Sequence, residues 1–330
     1  MPRGATGSVA DGAPMTSPAG DPPHATASAD VPRSERTLGV TAVLGATVFW
    51  SFGSVLGKAA DVSGVTLGFW RMWIATAMMT VIVLVTKRRP GRDDLRNAAV
   101  LGVLFGFNIV AFFITLQYLS VAITLIIGSL TPVVALPIAV LFMGERLTWV
   151  KGLCALAATA GVVAAVVTAA PPEDAANSTV GYVWAVISLF IWVVYLLANK
   201  RVRAKVETVR LMWVLSFVGA LTVSVITLFV RPDLGELQGA DWLWVTLLSI
   251  GPGILGHGLL SWAQPRVDAS VSSVLIQGEP VGASIWAWVF LGESLSVAQA
   301  LSMMVVVVAL GVLAYSEARE NRVVVDEALG

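Results

Sequence analysis

Residues 132–148 read PVVALPIAVLFMGERLT, and residues 280–296 read PVGASIWAWVFLGESLS. In each stretch a proline precedes the dipeptide Gly-Glu by twelve residues, and a leucine and a hydroxyl residue follow. The two stretches are 148 residues apart. Such self-similarity at a fixed distance indicates an internal repeat, and this repeat determines the fold prediction for the whole chain.

A second pattern recurs at almost the same distance. Trp50 precedes Lys58 by eight residues, and Trp192 precedes Lys200 by the same eight, so both members recur after 142 residues. The small difference between the two distances falls in connecting loops. The repeating unit is therefore roughly 140–150 residues long.

The composition is that of a protein dissolved in lipid. Of the 330 residues, 57% are hydrophobic and 13% are charged, and the mean hydropathy is +0.82, whereas about a quarter of the residues of a soluble domain are charged. The formal net charge is zero, so no nucleic acid partner is expected. The single cysteine, Cys154, offers neither an intramolecular disulfide nor a cysteine metal cluster, and no cofactor or metal is expected.

Ten apolar segments are long enough to cross a bilayer as helices, which takes about twenty residues each. The predicted spans are residues 38–59, 65–86, 97–118, 120–143, 148–169, 180–199, 209–230, 242–263, 269–291 and 296–316. Residues 1–37 contain no apolar run, which predicts a disordered cytoplasmic arm, and residues 317–330 are predicted to form a cytoplasmic tail. The predicted fold class is an all-α integral membrane protein with ten transmembrane helices.

Basic residues predict the orientation of these spans, because lysine and arginine in short loops are retained on the cytoplasmic side. With a cytoplasmic amino terminus, thirteen basic residues lie in inside loops, and two, Lys58 and Arg231, lie in outside loops. The inside residues are Lys87, Arg88, Arg89, Arg92, Arg96, Arg146, Lys151, Lys200, Arg201, Arg203, Lys205, Arg210 and Arg266. Both termini are therefore predicted to lie in the cytoplasm.

Five spans per repeat give the two repeats opposite orientations. Residues 38–170 hold the first five predicted helices and residues 180–316 hold the last five. Because five is odd, the second copy must enter the membrane from the other side. Inverted repeats of this kind recur in secondary transporters, which bind their substrates near the midplane between the repeats and alternate access to them.

The same stretches carry a family resemblance. Residues 131–148, from Thr-Pro to Gly-Glu-Arg-Leu-Thr, and residues 278–293, from Gly-Glu-Pro-Val to Gly-Glu, resemble the repeat ends of the EamA family in the drug/metabolite transporter superfamily. Residues 256–264 are similar to a variant seen in many bacterial members. The resemblance covers about residues 38–316 and implies an inner-membrane carrier, commonly an exporter of amino acids, metabolites or drugs, that needs no ATP. In agreement, the sequence contains no phosphate-binding glycine loop with Lys and Ser or Thr.

Two prolines mark the predicted site. Pro132 and Pro280 lie near the middle of the fourth and ninth spans, where each should free the carbonyl group four residues earlier. The polar side chains around them are those of Ser129, Thr131, Gln277 and Glu279. Broken helices at corresponding positions of two repeats point to a transport site; the alternative is that the prolines only shape helix packing.

Glu279 is the most informative side chain of this group. An ionised carboxylate at the middle of a span costs about 2.5–3.5 kcal/mol on insertion scales, so the surroundings favour its neutral form. One hypothesis is that Glu279 alternates between neutral and charged forms and thereby couples transport to protons, or pairs with a cationic substrate group. The other is that a permanently protonated or hydrogen-bonded carboxyl group organises the helix break.

Five further side chains complete the predicted site, each with an open alternative. Arg71 either snorkels outward along its span or points inward and binds a carboxylate. Asn108 and His257 either hydrogen-bond a substrate or join helices. Trp50 and Trp192, which lie too deep for an interfacial belt, either form the walls of a cavity or simply pack.

The predicted function is that of a secondary active transporter, an exporter of small metabolites. Its predicted partners are a small-molecule substrate and the lipid bilayer, together with protons if Glu279 couples transport to them. Whether the protein forms a homodimer is left open. The alternatives are an integral-membrane enzyme acting on a lipid-linked substrate and a channel. Neither a nucleophile with its base nor a stripe of pore-lining polar residues is evident in the sequence.

Overall fold

The computed structural model describes residues 31–60, 62–119, 121–168, 178–291 and 295–319. Gly292 and Glu293 of the second repeat motif lie outside the described residues, as do residues 1–30 of the predicted arm and residues 320–330 of the predicted tail. The side chain of Lys58 is likewise outside the described part of the chain. Within the described ranges the structure consists of helices and their connections, and it contains no strand.

Fourteen α-helices and one π-helical segment make up this part of the chain. The first seven are α1 (Arg33–Ser51), α2 (Gly53–Ala59), α3 (Gly64–Thr86), α4 (Arg92–Tyr118), α5 (Val121–Gly128), α6 (Thr131–Met143) and α7 (Trp149–Val167). The others are α8 (Thr179–Arg203), α9 (Thr208–Val230), α10 (Asp241–Leu248), the π-helical segment (Ser249–Gly256), α11 (His257–Ala263), α12 (Ala269–Leu275), α13 (Gly278–Leu291) and α14 (Val297–Arg319).

Nine helical stretches of the described residues are long and apolar enough to cross a membrane. They correspond to nine of the ten predicted spans. The predicted ninth span, residues 269–291, is divided between α12 and α13, and a tenth crossing made of these two short helices stays a prediction. The chain is thus an all-α, multi-pass membrane protein.

Both prolines of the predicted site begin new helices. Pro132 lies in the first turn of α6 and Pro280 in the first turn of α13, where the missing N–H group would have no partner in the helix anyway. The sequence predicted a break near each proline, but it placed each proline near the middle of its helix and not in the first turn of a new one. The Thr131 hydroxyl donates a hydrogen bond of 2.6 Å to the Gly128 carbonyl oxygen at the end of α5. A nearby side chain thus supplies a hydrogen bond to a carbonyl group at the broken helix end.

Small residues allow the longest helices to pack closely. Helix α4 packs along α8 and α9, and α7 packs along α14. A Cβ atom added at Gly106 of α4 would lie 2.8 Å from the Gly219 carbonyl oxygen of α9, and one added at Gly102 would lie 2.7 Å from Cβ of Val218. Only glycine allows the two backbones to approach this closely.

Residues at the repeat distance touch each other near the helix breaks. Gln277 Nε2 donates a hydrogen bond of 2.7 Å to the carbonyl oxygen of Ser129, which precedes it by 148 residues. Trp50 and Trp192, which are 142 residues apart, contact edge to face with ring centroids 5.6 Å apart. Residues related by a twofold axis can touch their own counterparts only beside that axis. These contacts are the ones expected of inverted repeats, whose arrangement stays a prediction.

Charged side chains gather at one end of the helices. Arg36 near the start of α1 pairs with Glu317 near the end of α14 at 3.0 Å. Lys200 near the end of α8 pairs with Asp268 at 3.3 Å. We call this the Lys200 end of the molecule, and the distribution of basic residues predicts that it faces the cytoplasm.

Candidate functional site

A cavity of about 160 Å³ lies between the helices. The predicted site residues that line it are Trp50, Arg71, Asn108, Thr131, Trp192, His257, Gln277, Glu279 and Pro280. Pro132 is buried in the first turn of α6, and its side chain does not line the cavity. Residues far apart in the sequence are thus brought to one place, and their role in binding stays a prediction.

Aromatic side chains form one wall of the cavity. The imidazole ring of His257 packs against Trp50 and Trp192, with centroid distances of 5.0 and 5.9 Å. Trp50 Nε1 donates a hydrogen bond of 3.0 Å to the Pro252 carbonyl oxygen in the π-helical segment. A Cβ atom added at Gly256 would lie 2.5 Å from Trp50 Nε1, so the indole ring can occupy this position only against a glycine.

Arg71 points into the cavity instead of snorkelling. It lies on α3 and is only 5% exposed, and its guanidinium carbon lies 5.5 Å from the centroid of the Phe113 ring. Arg71 lies directly beside the π-helical segment at Gly253, which has no side chain. A Cβ atom added at Gly253 would lie 3.8 Å from Arg71 Nε. Among the described residues, no side chain or carbonyl group forms a salt bridge or hydrogen bond with its guanidinium group.

Glu279 brings a negative charge to the same cavity. It lies in the first turn of α13 and is partly buried. Within the described part of the chain its carboxylate, like the guanidinium of Arg71, has neither an ion-pair partner nor a hydrogen-bond donor. A positive and a negative charge that form no salt bridge or hydrogen bond within the described part of the chain therefore line one mostly apolar cavity, where each is within electrostatic reach of the other.

The two amide side chains of the site join helices. Asn108 Nδ2 donates a hydrogen bond of 3.1 Å to the Ser188 carbonyl oxygen and thereby connects α4 to α8. Gln277 connects the two helix breaks through Ser129, and its Nε2 also lies 3.4 Å from the Thr159 hydroxyl. These contacts are compatible with either role predicted for Asn108, and a part for it in substrate binding stays a prediction.

Several residues that shape the cavity were not assigned to the predicted site, and three of them make contacts described above. Phe113, Ser188 and Pro252 all line it. The run Gly251-Pro252-Gly253 carries a signal for Pro252, because consecutive helix breakers open the backbone and leave carbonyl groups available. No local pattern marks Phe113 or Ser188, because each matters only through a residue on another helix.

Comparison with known proteins agrees with this architecture. The chain is 27% identical over 229 residues to the uncharacterized inner membrane transporter YhbE of Escherichia coli strain K12, covering 66% of this chain and 69% of that protein. It is 26% identical over 252 residues to an uncharacterized transporter of Archaeoglobus fulgidus, covering 75% of this chain and 86% of that protein. A solved crystal structure of a protein with 24% identity has a TM-score of 0.69 and covers 85% of this chain and 97% of that one, which shows the fold alone.

The family assignment covers most of the chain. The model of the EamA-like transporter family matches residues 37–167 and again residues 179–315. These two segments coincide with the two predicted repeats. The chain is therefore a membrane transporter, and it belongs to the EamA-like transporter family.

Proposed function

We propose that this transporter exports a small zwitterionic solute across the cytoplasmic membrane by alternating access, in exchange for protons. The observation that carries the proposal is that Arg71 and Glu279 line one cavity and that neither forms a salt bridge or hydrogen bond among the described residues. Charges away from water are costly unless they are paired. A solute with both a carboxylate and an ammonium group would pair with both.

The cavity offers a place for each part of such a solute. The planar guanidinium group of Arg71 can hold a carboxylate with two parallel hydrogen bonds. The carboxylate of Glu279 can hold an ammonium group. The rings of Trp50 and Trp192 supply apolar surface for the rest of the solute, as in most small-molecule sites.

Proton coupling would follow from competition at Glu279. Its carboxylate can hold a proton or the ammonium group of the solute, but not both at once. A proton arriving from outside then displaces the solute, and a solute arriving from the cytoplasm displaces the proton. An inward proton gradient would thus drive export without ATP.

The contacts at the helix breaks supply a pivot for alternating access. The hydrogen bond from Gln277 to Ser129 and the contact of Trp50 with Trp192 join positions at the repeat distance. When two bodies rock against each other, contacts close to the rotation axis change little while the far ends separate. The proposed site therefore lies where the two halves move least.

The test begins with cells and ends with purified protein. Extracellular metabolites are compared between cells with and without the transporter, and each labelled hit is then measured for counterflow in proteoliposomes. We expect hits with both charged groups, saturable exchange of an unchanged solute, and faster flux when the opposite side is acidic. Flux that does not saturate would indicate a channel, and a chemically altered solute would indicate an enzyme.

A substitution at Arg71 tests whether the exchanged solute binds in the cavity that Arg71 lines. Arg71→Gln should raise the half-saturation concentration about tenfold or more, because a hydrogen bond to a charged group contributes about 1.5–3 kcal/mol. Arg88→Gln is the matched control, since Arg88 is 54% exposed and pairs with Glu207 at the surface. Equal effects of the two substitutions would contradict the assigned role of Arg71.

A further inference from the structure

A buried ion cluster lies at the Lys200 end of the molecule. We use this name for six side chains, each of which is at most 13% exposed. They are Arg36, Glu145, Lys151, Lys200, Asp268 and Glu317. Three are basic and three are acidic, so the cluster has no formal net charge.

The pairs of the cluster join the two predicted repeats. Lys151 Nζ lies 2.7 Å from Asp268 Oδ2, and Arg36 Nη2 lies 3.0 Å from Glu317 Oε2. Lys151 belongs to the first predicted repeat and Asp268 to the second, while Arg36 and Glu317 lie on α1 and α14, which extend the two repeats just beyond their predicted bounds. The two halves cannot separate at this end without breaking both pairs.

Glu145 adds a helix cap to the same connection. Its carboxylate accepts hydrogen bonds of 2.8 and 3.0 Å from the backbone N–H groups of Ala269 and Ser270 at the start of α12. Lys200 of the second repeat pairs with the same carboxylate at 3.0 Å. One side chain of the first repeat therefore binds both a helix end and a cation of the second.

Helix α12 leads from the ion cluster to the cavity. It follows Asp268 of the cluster and ends beside Ile276 of the cavity wall, about 10 Å away at 1.5 Å per residue. The hydroxyls of Ser270 and Ser272, and both polar atoms of the Gln264 side chain, have no hydrogen-bond partner among the described residues, although none of the three is more than 2% exposed. Polar groups buried in this way call for an explanation, and contact with water in another conformation provides one.

We infer that the buried ion cluster is the gate at the Lys200 end, and that α12 lines the path that opens between the cluster and the cavity. Dissociation of the cluster releases six charges into water, which hydrates them and the unpartnered polar groups of the path. The inference rests on the proposed function and on the predicted orientation. It assigns to Glu145 and Lys200 a role in the transport cycle beyond holding helix ends.

The experiment uses single cysteines in the full-length protein after Cys154→Ala, which removes the one native thiol. Ser272→Cys reports on the path and loses no hydrogen bond of the described structure. Gly53→Cys reports on the cavity, where a Cβ atom would make only an ordinary contact of 3.7 Å with Pro252. A membrane-impermeant cationic methanethiosulfonate reagent is applied to the cytoplasmic side for the first reporter and to the outer side for the second.

Glu145→Gln weakens the gate, because it removes one of the two carboxylates that hold Lys200 and leaves Asp268 as the other. We expect the modification rate of Ser272→Cys to rise about tenfold and that of Gly53→Cys to fall, since alternating access makes the two openings exclusive. Local unfolding would instead raise both rates, and that outcome overturns the gate. Arg88→Gln, which breaks a surface pair, is the matched control and leaves both rates unchanged.

The counterflow assay separates this inference from the proposed function. If the wild-type protein exchanges solute but Glu145→Gln changes neither modification rate, the gate assignment is wrong and the carrier stands. If the wild-type protein shows no counterflow with any metabolite exported from cells, the proposed function fails and the gate fails with it. Both the proposed function and the gate are supported if the wild-type protein performs counterflow and if Glu145→Gln raises the modification rate of Ser272→Cys while it lowers that of Gly53→Cys.

Discussion

At the scale of single residues, the geometry separates binding from coupling. Arg71 and Glu279 line one cavity but lie on different helices, α3 and α13. A guanidinium group stays charged at any physiological pH, so Arg71 can hold a carboxylate but cannot carry a proton through the cycle. A carboxyl group in apolar surroundings can exchange its proton. Proton coupling should therefore depend on Glu279 and not on Arg71.

Glu279→Gln tests this division of roles. The amide keeps the shape of the side chain but does not titrate, so the variant should still perform counterflow while its flux no longer responds to an imposed pH gradient. The measurement is the ratio of fluxes with and without the gradient in proteoliposomes, and Arg88→Gln provides the control ratio. A variant with the wild-type response would favour the other hypothesis, in which the carboxyl group only organises the break between α12 and α13.

At the scale of helices, close packing of α4 on α9 depends on Gly106. A Cβ atom there would lie 2.8 Å from a carbonyl oxygen of α9, and overpacking of this kind costs about 1–3 kcal/mol. Gly106→Val should lower the midpoint of thermal unfolding in detergent. Gly311→Val on α14 is the matched control, since a Cβ atom at Gly311 meets no atom within 4 Å. Equal midpoints for the two variants would contradict this account of the α4 and α9 contact.

The spans could be predicted because the rule that produces them is local. A backbone in lipid must satisfy its own hydrogen bonds, so a run of about twenty apolar residues is enough to predict a helix. The prolines likewise predicted the breaks near Pro132 and Pro280, although not that each proline begins a new helix. The run Gly251-Pro252-Gly253 indicated a loosened helix in the eighth span, but not that Ser249–Gly256 forms a π-helical segment.

The buried ion cluster could not be predicted, because its pairs join residues that are far apart in the sequence. Hydropathy places charged residues at helix ends and in loops, so Arg36 fell in the predicted arm and Glu317 in the predicted tail. The structure instead begins α1 at Arg33 and extends α14 to Arg319. Pairing between residues on distant helices leaves no periodic signal in the sequence. Most of the predicted cavity residues were found because polar side chains within spans are rare and each one is conspicuous by itself.

At the scale of the whole molecule, two equivalent loops should face opposite sides of the membrane. Arg89 follows α3 in the first repeat, Gln238 follows α9 in the second, and both are exposed. After Cys154→Ala, Arg89→Cys should react with an impermeant thiol reagent only from the cytoplasm, and Gln238→Cys only from outside. Labelling of both cysteines from the same side of intact cells would overturn the inverted arrangement of the repeats.

The pair between Arg36 and Glu317 links the two extremes of the described chain, and this bears on its biogenesis. A ribosome adds about 5–20 residues per second, so the first helix waits on the order of half a minute before its partner carboxylate exists. During that interval the guanidinium group must remain in water at the membrane surface. A nascent chain cut short before the last helix would leave Arg36 and Lys151 to share Asp268 without Glu317, and quality-control proteases could recognise such an unfinished chain by this excess of positive charge.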